Sequence, residues 1–114
     1  MKIKENIKGQ RVGAILGSEK GTVKFFGYGI YEGEFIPKEA VGFLADICRE
    51  GKRKNPRIKL DNGKVVYGCE CWWGSEEAIR DQVAGYENVV VVDINKVRKE
   101  YVGGDTNSGI QTAK

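Results

Sequence analysis

Histidine is absent from the 114 residues. That removes the commonest general base, the usual partner of a serine or cysteine nucleophile, and the commonest metal ligand. Cysteine is scarce and odd in number, at three, which argues against a secreted disulfide framework. Cys69-Glu-Cys71 sets two sulfurs on one side of a strand, with Cys48 elsewhere. A structural zinc site needs four ligands and wider spacing between paired cysteines, so the three read as small buried thiols and no metal is expected. No apolar run approaches the ~18 residues of a membrane span. The opening Met-Lys-Ile-Lys-Glu lacks the apolar stretch of a signal peptide, and the expectation is a cytoplasmic protein without a membrane partner. Charge of one sign is also lacking: 19 basic against 16 acidic residues leave a net +3, which demands no large polyanion. Glu70, Asp61 or Glu32 could act as acid or base, but nothing marks catalysis, and neither enzyme nor cofactor is expected. The length suits one domain that buries roughly 60–70% of the unfolded chain's surface.

The richest segment runs from Arg57 to Trp73. Asn62-Gly63 is a strong signal for a two-residue type I′ turn, which needs positive φ at both positions. Such a turn pairs Leu60 with Val65, Ile58 with Tyr67 and Arg57 with Gly68. Alternation then sends Ile58, Leu60, Val65, Tyr67, Cys69, Cys71 and Trp73 to a core. The opposite face carries Arg57, Lys59, Asp61, Val66, Gly68, Glu70 and Trp72, a shelf suited to a charged, planar ligand.

Elsewhere, residues 1–9 suggest an edge strand or a loose arm. Arg11–Leu16 and Thr22–Phe26 read as strands around the polar turn 17–21. Phe26-Gly-Tyr-Gly-Ile-Tyr-Glu-Gly33 threads aromatics with glycine, which implies bulges or sharp bends. Phe25, Tyr28 or Tyr31 then serve either the core or an aromatic pocket wall. Pro37 fits the first turn of a helix that continues through Ala40, Phe43, Leu44, Ile47 and Cys48, with Gly51 just past its end. The basic link 52–57 leads to Arg57. Ser75 caps a second helix with Ala78, Ile79 and Val83 on its apolar stripe. Four successive valines (89–92) form a strand buried on both faces or pressed into a subunit contact. A last short helix carries Ile94, Val97 and Tyr101 on one face, with Arg98 apart from it. Residues 1–103 make one α+β domain on a strongly bent antiparallel sheet of about six strands with two or three short helices. Residues 104–114 read as a disordered tail.

Trp72 and Trp73 are neighbours on a strand and point oppositely, so at most one joins a given core. Trp73 follows the apolar set. Trp72 is left on the polar face as cover for a helix, a subunit contact, or a stacking platform for a base. Arg57 supplies a rigid five-donor fork suited to phosphate. Asp61 or Glu70 can accept from ribose hydroxyls, and the bare Gly68 makes room.

Phe26-Gly-Tyr-Gly-Ile-Tyr-Glu-Gly33, the helix after Pro37, Asn55-Pro-Arg-Ile-Lys-Leu-Asp-Asn-Gly63 and Gly68-Cys-Glu-Cys-Trp-Trp-Gly74 together resemble a group of small phage proteins. That group includes the first family of anti-Thoeris proteins, and the resemblance spans roughly residues 10–102. It implies a sponge that binds a cyclic ADP-ribose messenger made by a TIR enzyme, without cleaving it, and so blocks Thoeris immunity. It also implies oligomers built on dimers, nucleotide pockets near subunit contacts and, in some members, separate sites for cyclic oligonucleotides. Carried onto this chain, it places Arg57 on phosphate, Asp61 on ribose or a base edge, and Arg98 as a further anion contact. Trp72, Tyr28 and Phe25 compete as the stacking aromatic.

The main rival is a module for single-stranded nucleic acid, which needs a contiguous basic face and binding that weakens steeply with salt. A small nucleotide-acting phage enzyme would instead convert its ligand. A structural or inhibitory role would use Trp72 and the valines as an interface.

Overall fold

A long second strand organises the domain. The structure, a computed structural model, describes residues 7–104, with side chains through residue 100; residues 1–6 of the expected arm and the tail from 105 lie outside the described residues. In chain order come β1 (Arg11–Glu19), β2 (Thr22–Phe35), α1 (Phe43–Glu50), β3 (Asn55–Leu60), β4 (Val65–Tyr67), a 3₁₀ turn (Gly68–Glu70), β5 (Trp72–Ser75), α2 (Glu76–Ala84), β6 (Asn88–Val91) and α3 (Ile94–Gly104). The sheet order is β4-β3-β2-β1-β5, open at both ends, and β6 joins β2 in parallel. The fold is α+β.

β1 and β2 form a hairpin closed by Lys20 and Gly21, both at positive φ, as a two-residue primed turn requires. Two register shifts follow in quick succession, placing Phe26 on β2 and Leu16 on β1 as extra residues. Each bulge increases local twist. Consecutive aromatics can therefore both be buried: Phe25 packs with Ile15, Val23 and Ile79, whereas Phe26 packs with Val12, Ala14, Ile58, Leu60 and Val66. A further irregularity between Tyr31 and Glu34 lies at Gly33, whose φ of 105° favours glycine. The glycine-threaded segment is thus a bent strand. α2 covers the Phe25 side through Ile79, and α3 covers the Phe26 side through Ile94 and Val97. Trp73 stacks on Tyr31, with ring centroids 5.3 Å apart and planes 14° apart.

The hairpin at Asn62-Gly63 departs from expectation. Leu60 N–H donates to Lys64 O, Gly63 N–H to Leu60 O and Lys64 N–H to Asn62 Oδ1. Of the two turn residues only Gly63 has positive φ. The loop therefore has three residues, Asp61 to Gly63, and pairing slips by one: Ile58 faces Val66 and Arg57 faces Tyr67. A one-residue slip exchanges faces. Val66 goes into the core, and Val65 and Tyr67 join Ala40 and Ala45 in a smaller cluster. Alternation then stops at the 3₁₀ turn, so Cys69 and Cys71 do not continue the strand.

Two helical expectations are also corrected. Pro37 is buried in a loop, and α1 begins only after Gly42, whose φ of 109° lies outside helical space. Arg49 Nη1 holds that loop by donating to Pro37 O and Ala40 O at 2.8 and 2.6 Å. On α1 itself Ala45 is buried, while Phe43, Leu44 and Ile47 are exposed. The valine strand is likewise not buried on both faces: Val89, Val90 and Val91 are exposed at 46, 46 and 72%.

Gly29 faces Leu60 across β2 and β3, and a Cβ there would lie 2.6 Å from Leu60 Cα. Backbone cannot yield as a side-chain tip does. Gly29→Ala is expected to cost about 3 kcal/mol or more in urea unfolding, against less than about 1 kcal/mol for Gly17→Ala, where nothing lies within 4 Å. Equal losses would contradict the close approach of β2 to β3.

Candidate functional site

The expected shelf residues divide into three groups. Arg57, midway along β3, lines a shallow hollow of about 480 Å³ with Lys8, Ile30, Tyr31, Glu32 and Phe35. Its guanidinium carbon stands 5.2 Å over the Phe35 ring. Its Nε is 3.0 Å from Glu32 Oε1, near enough for an ion pair, yet it is buried and makes no hydrogen bond. The nitrogen is thus charge-paired without a hydrogen bond. Lys59, two residues on, is exposed and lies across from Ile30, itself opposite Arg11.

Asp61 belongs to a second, surface group. Arg11 donates to both its carboxylate oxygens at 2.7 and 2.9 Å, and the second nitrogen of that fork also reaches Glu76 at 3.4 Å. The hydrogen bonds from Arg11 hold the Asp61 carboxyl below its ordinary value.

Glu70 and Arg98 form the third group, and it faces inward. Glu70 accepts from Arg98 Nε and Nη2, both at 2.8 Å, and from the Tyr67 backbone N–H at 3.0 Å. Arg98 also donates to Val65 O. Their side chains are only 7 and 13% exposed. The expected ribose acceptor and second anion contact are therefore spent on each other, tying α3 to the 3₁₀ turn. Gly68 leaves no room for a ligand either, since a Cβ there would meet Pro56 at 2.7 Å.

The aromatics are equally divided. Phe25 is buried and receives Tyr28 edge-on, with centroids 5.0 Å apart. Neither is brought to Arg57. Trp72 is 71% exposed and borders a different cleft. The aromatics that do meet Arg57 are Phe35 and Tyr31. Unbroken alternation sets Phe35 on the face of Tyr31; the extra residue at Gly33 turns it to the face of Arg57, and the glycines implied a bend there without fixing its position. Beside this hollow Tyr67, directly opposite Arg57, donates its hydroxyl to Glu39. Tyr31 donates to Glu34 at 2.5 Å.

Burial, then the nearby Glu70, pushes the Cys69 thiol up to about 11, and burial raises Cys71 as well. Neither is a thiolate at neutral pH, which disfavours nucleophilic use. Among the described residues no group of three or more Cys, Asp or Glu is placed to hold a metal ion, and no helix is long and apolar enough to cross a membrane. Compared with protein-family models, curated proteins and solved structures, the chain matches none significantly.

Breaking the inward pair leaves a buried carboxylate short of donors. Arg98→Ala is expected to cost about 3–5 kcal/mol of unfolding free energy, whereas Arg11→Ala, at the exposed pair, costs about 1 kcal/mol or less. Chemical denaturation of both variants checks the order, and similar losses would refute it.

Two phenols titrate late. Burial and the Glu39 contact raise Tyr67 to about 12, and the Glu34 hydrogen bond raises Tyr31 to about 12. The folded state holds these protons more tightly, so their stabilisation is complete below the ordinary value of 10 and fades as pH climbs toward 12. In an ultraviolet tyrosinate titration, Tyr67→Phe should lose one late component and keep the other. Retention of both would show that Glu39 does not hold the Tyr67 proton.

Proposed function

We propose that this protein captures a small phosphate-bearing nucleotide of the cyclic ADP-ribose class without cleaving it, as a phage sponge that blunts Thoeris immunity in the host cytoplasm. The observation that carries the reading is the Arg57 guanidinium, set over Phe35 in an open hollow with its Nε unsatisfied. Its volume falls within the range of small-molecule sites. The messenger's identity comes from the sequence resemblance; the hollow supports only a phosphate and an aromatic ring.

The energetics favour exchange of partners. The Arg57–Glu32 pair is about a third exposed on both sides, and such pairs contribute roughly 0–1 kcal/mol. A phosphate that takes the fork in two charge-assisted hydrogen bonds offers more. Lys8 adds a second cation to the lining, Glu32 is freed to accept from ribose hydroxyls, and Phe35 offers a ring to the base. Capture needs affinity alone, so no proton transfer or nucleophile enters.

A homodimer or larger oligomer is part of the proposal. β6 bonds to β2 along one edge, and its exposed valines make an apolar surface of the kind that strands usually protect. A single-stranded nucleic-acid module is the second reading, favoured by the exposed run Lys52-Arg53-Lys54 leading into β3.

Thermal unfolding with ADP-ribose, its cyclic isomers, cyclic dinucleotides and short single-stranded DNA tests these readings. At about 100 times Kd a ligand adds ~2.7 kcal/mol, which raises Tm by roughly 10 °C for a domain of this size. A rise with cyclic ADP-ribose, and intact ligand after heating, is the expected result. Arg57→Ala should leave the unliganded Tm within a few degrees while abolishing that rise. A rise with DNA alone would replace the proposal with the second reading, and no rise at all would remove both.

A further inference from the structure

We infer that the cleft beside Trp72 is a separate binding site for a neutral, planar heteroaromatic ring of the nucleobase type, distinct from the Arg57 hollow. The cleft measures about 360 Å³ and lies between the end of β1, the 3₁₀ turn with the start of β5, and Gln82 of α2 with Tyr86 just beyond that helix. It shares no lining residue with the Arg57 hollow. In strand register Trp72 faces Ile15, which faces Phe25, whereas Arg57 lies opposite the irregularity of β2 between Tyr31 and Glu34, at the far end of that strand.

Its chemistry differs from that of the Arg57 hollow. No lysine or arginine lines it, and its one charged residue, Glu70, is already committed to Arg98 and to the Tyr67 N–H. A phosphate would find no counter-charge there. Two aromatic side chains, Trp72 and Tyr86, line it together with the Gln82 amide and the Ser18 hydroxyl. An amide offers one donor group and one acceptor, matching the edge of a base, and an indole offers a face to any base. Trp72 also stands 71% exposed, while its neighbour Trp73 is stacked on Tyr31. The Trp72 indole is thus left free at the cleft, without a ring of the protein stacked on it among the described aromatic pairs. The cleft therefore combines an exposed indole with neutral hydrogen-bonding side chains and presents no cation to a phosphate.

The inference does not rest on the Arg57 reading, and one titration separates them. Adenosine, which carries no phosphate, is titrated into the full chain by calorimetry. Acrylamide quenching is followed in Trp73→Phe, where Trp72 is the remaining indole. Saturable binding is expected, with Kd on the order of 0.1 mM and protection of Trp72 from the quencher. Trp72→Ala should weaken binding about 10–100-fold. Gln82→Ala should reduce the preference for adenosine over inosine, and Arg57→Ala should change nothing. Absence of adenosine binding, or unchanged affinity in Trp72→Ala, would overturn the proposal. So would equal loss in Arg57→Ala, which would put adenosine in the other hollow. Tighter binding of AMP than of adenosine by tenfold or more, or of a short oligo(dA) with steep salt dependence, would also overturn it.

Discussion

Everything in this domain hangs on β2 being used along both edges at once. One edge bonds to β1 over most of its length, and the other is shared by β6 at its start and β3 at its end. A strand with two different neighbours on one edge must bend between them. The paired bulges at Phe26 and Leu16 and the irregularity near Gly33 provide that bend without leaving the sheet. The cost is lost ladder hydrogen bonds. It is offset because the extra residue lets Phe25 and Phe26 pack into different clusters on the two faces, each under its own helix. At about 25 cal/mol per Å² of apolar surface buried, one aromatic ring outweighs a missing backbone bond that contributes near 1 kcal/mol.

The same bend explains what the sequence could and could not disclose. Strand and helix types were legible because their signals are local: an apolar run between a charged start and a polar turn in β1, alternation in β3, Ser75 before Glu76 and Glu77, and glycine among aromatics where β2 turns. The opposing fates of Trp72 and Trp73 were legible from adjacency alone. The register of the β3–β4 hairpin was not. Asn-Gly serves a two-residue loop and also the end of a three-residue loop, and here tertiary contacts decide: Asp61 N–H donates to Tyr28 O and its carboxylate is gripped by Arg11. Once that register slips, Val66 and Tyr67 exchange faces, and the shelf drawn on the sequence no longer exists as one surface. Nor could the Glu70–Arg98 pair be read from the chain, because 28 residues separate its members.

The arginines show how the fold distributes charge. Arg98 is enclosed and bonded to Glu70 and a carbonyl, Arg49 secures the loop before α1, and Arg11 is clamped on Asp61. Each makes at least three hydrogen bonds from its guanidinium. A buried guanidinium is costly unless its hydrogen bonds are made, so Arg98 is structural in the strict sense that removing it strands the Glu70 carboxylate, whereas Arg11 and Arg49 tie exposed segments together. Arg57 is the exception. Its charge has a neighbour in Glu32 and a ring in Phe35, but its buried Nε donates to nothing. Sequence position singled out this arginine for its place on a polar strand face; the physical distinction is that its Nε is buried without a hydrogen-bond partner.

Two hollows of opposite character follow from one sheet. The cation-lined one lies where β2 bends toward β3, and its walls are residues released by the irregularity at Gly33. The neutral aromatic one lies where β1 meets β5, at the other bulge, with α2 beside it. Bulges terminate regular side-chain packing, so concavities arise beside them, and each takes the chemistry of the strands it interrupts. β3 carries Arg57 and Lys59 because that strand runs out of a basic link. β5 carries Trp72 because Trp73 must satisfy the core at Tyr31. The separation of a cation-lined hollow from an aromatic one is therefore a consequence of where β2 bends.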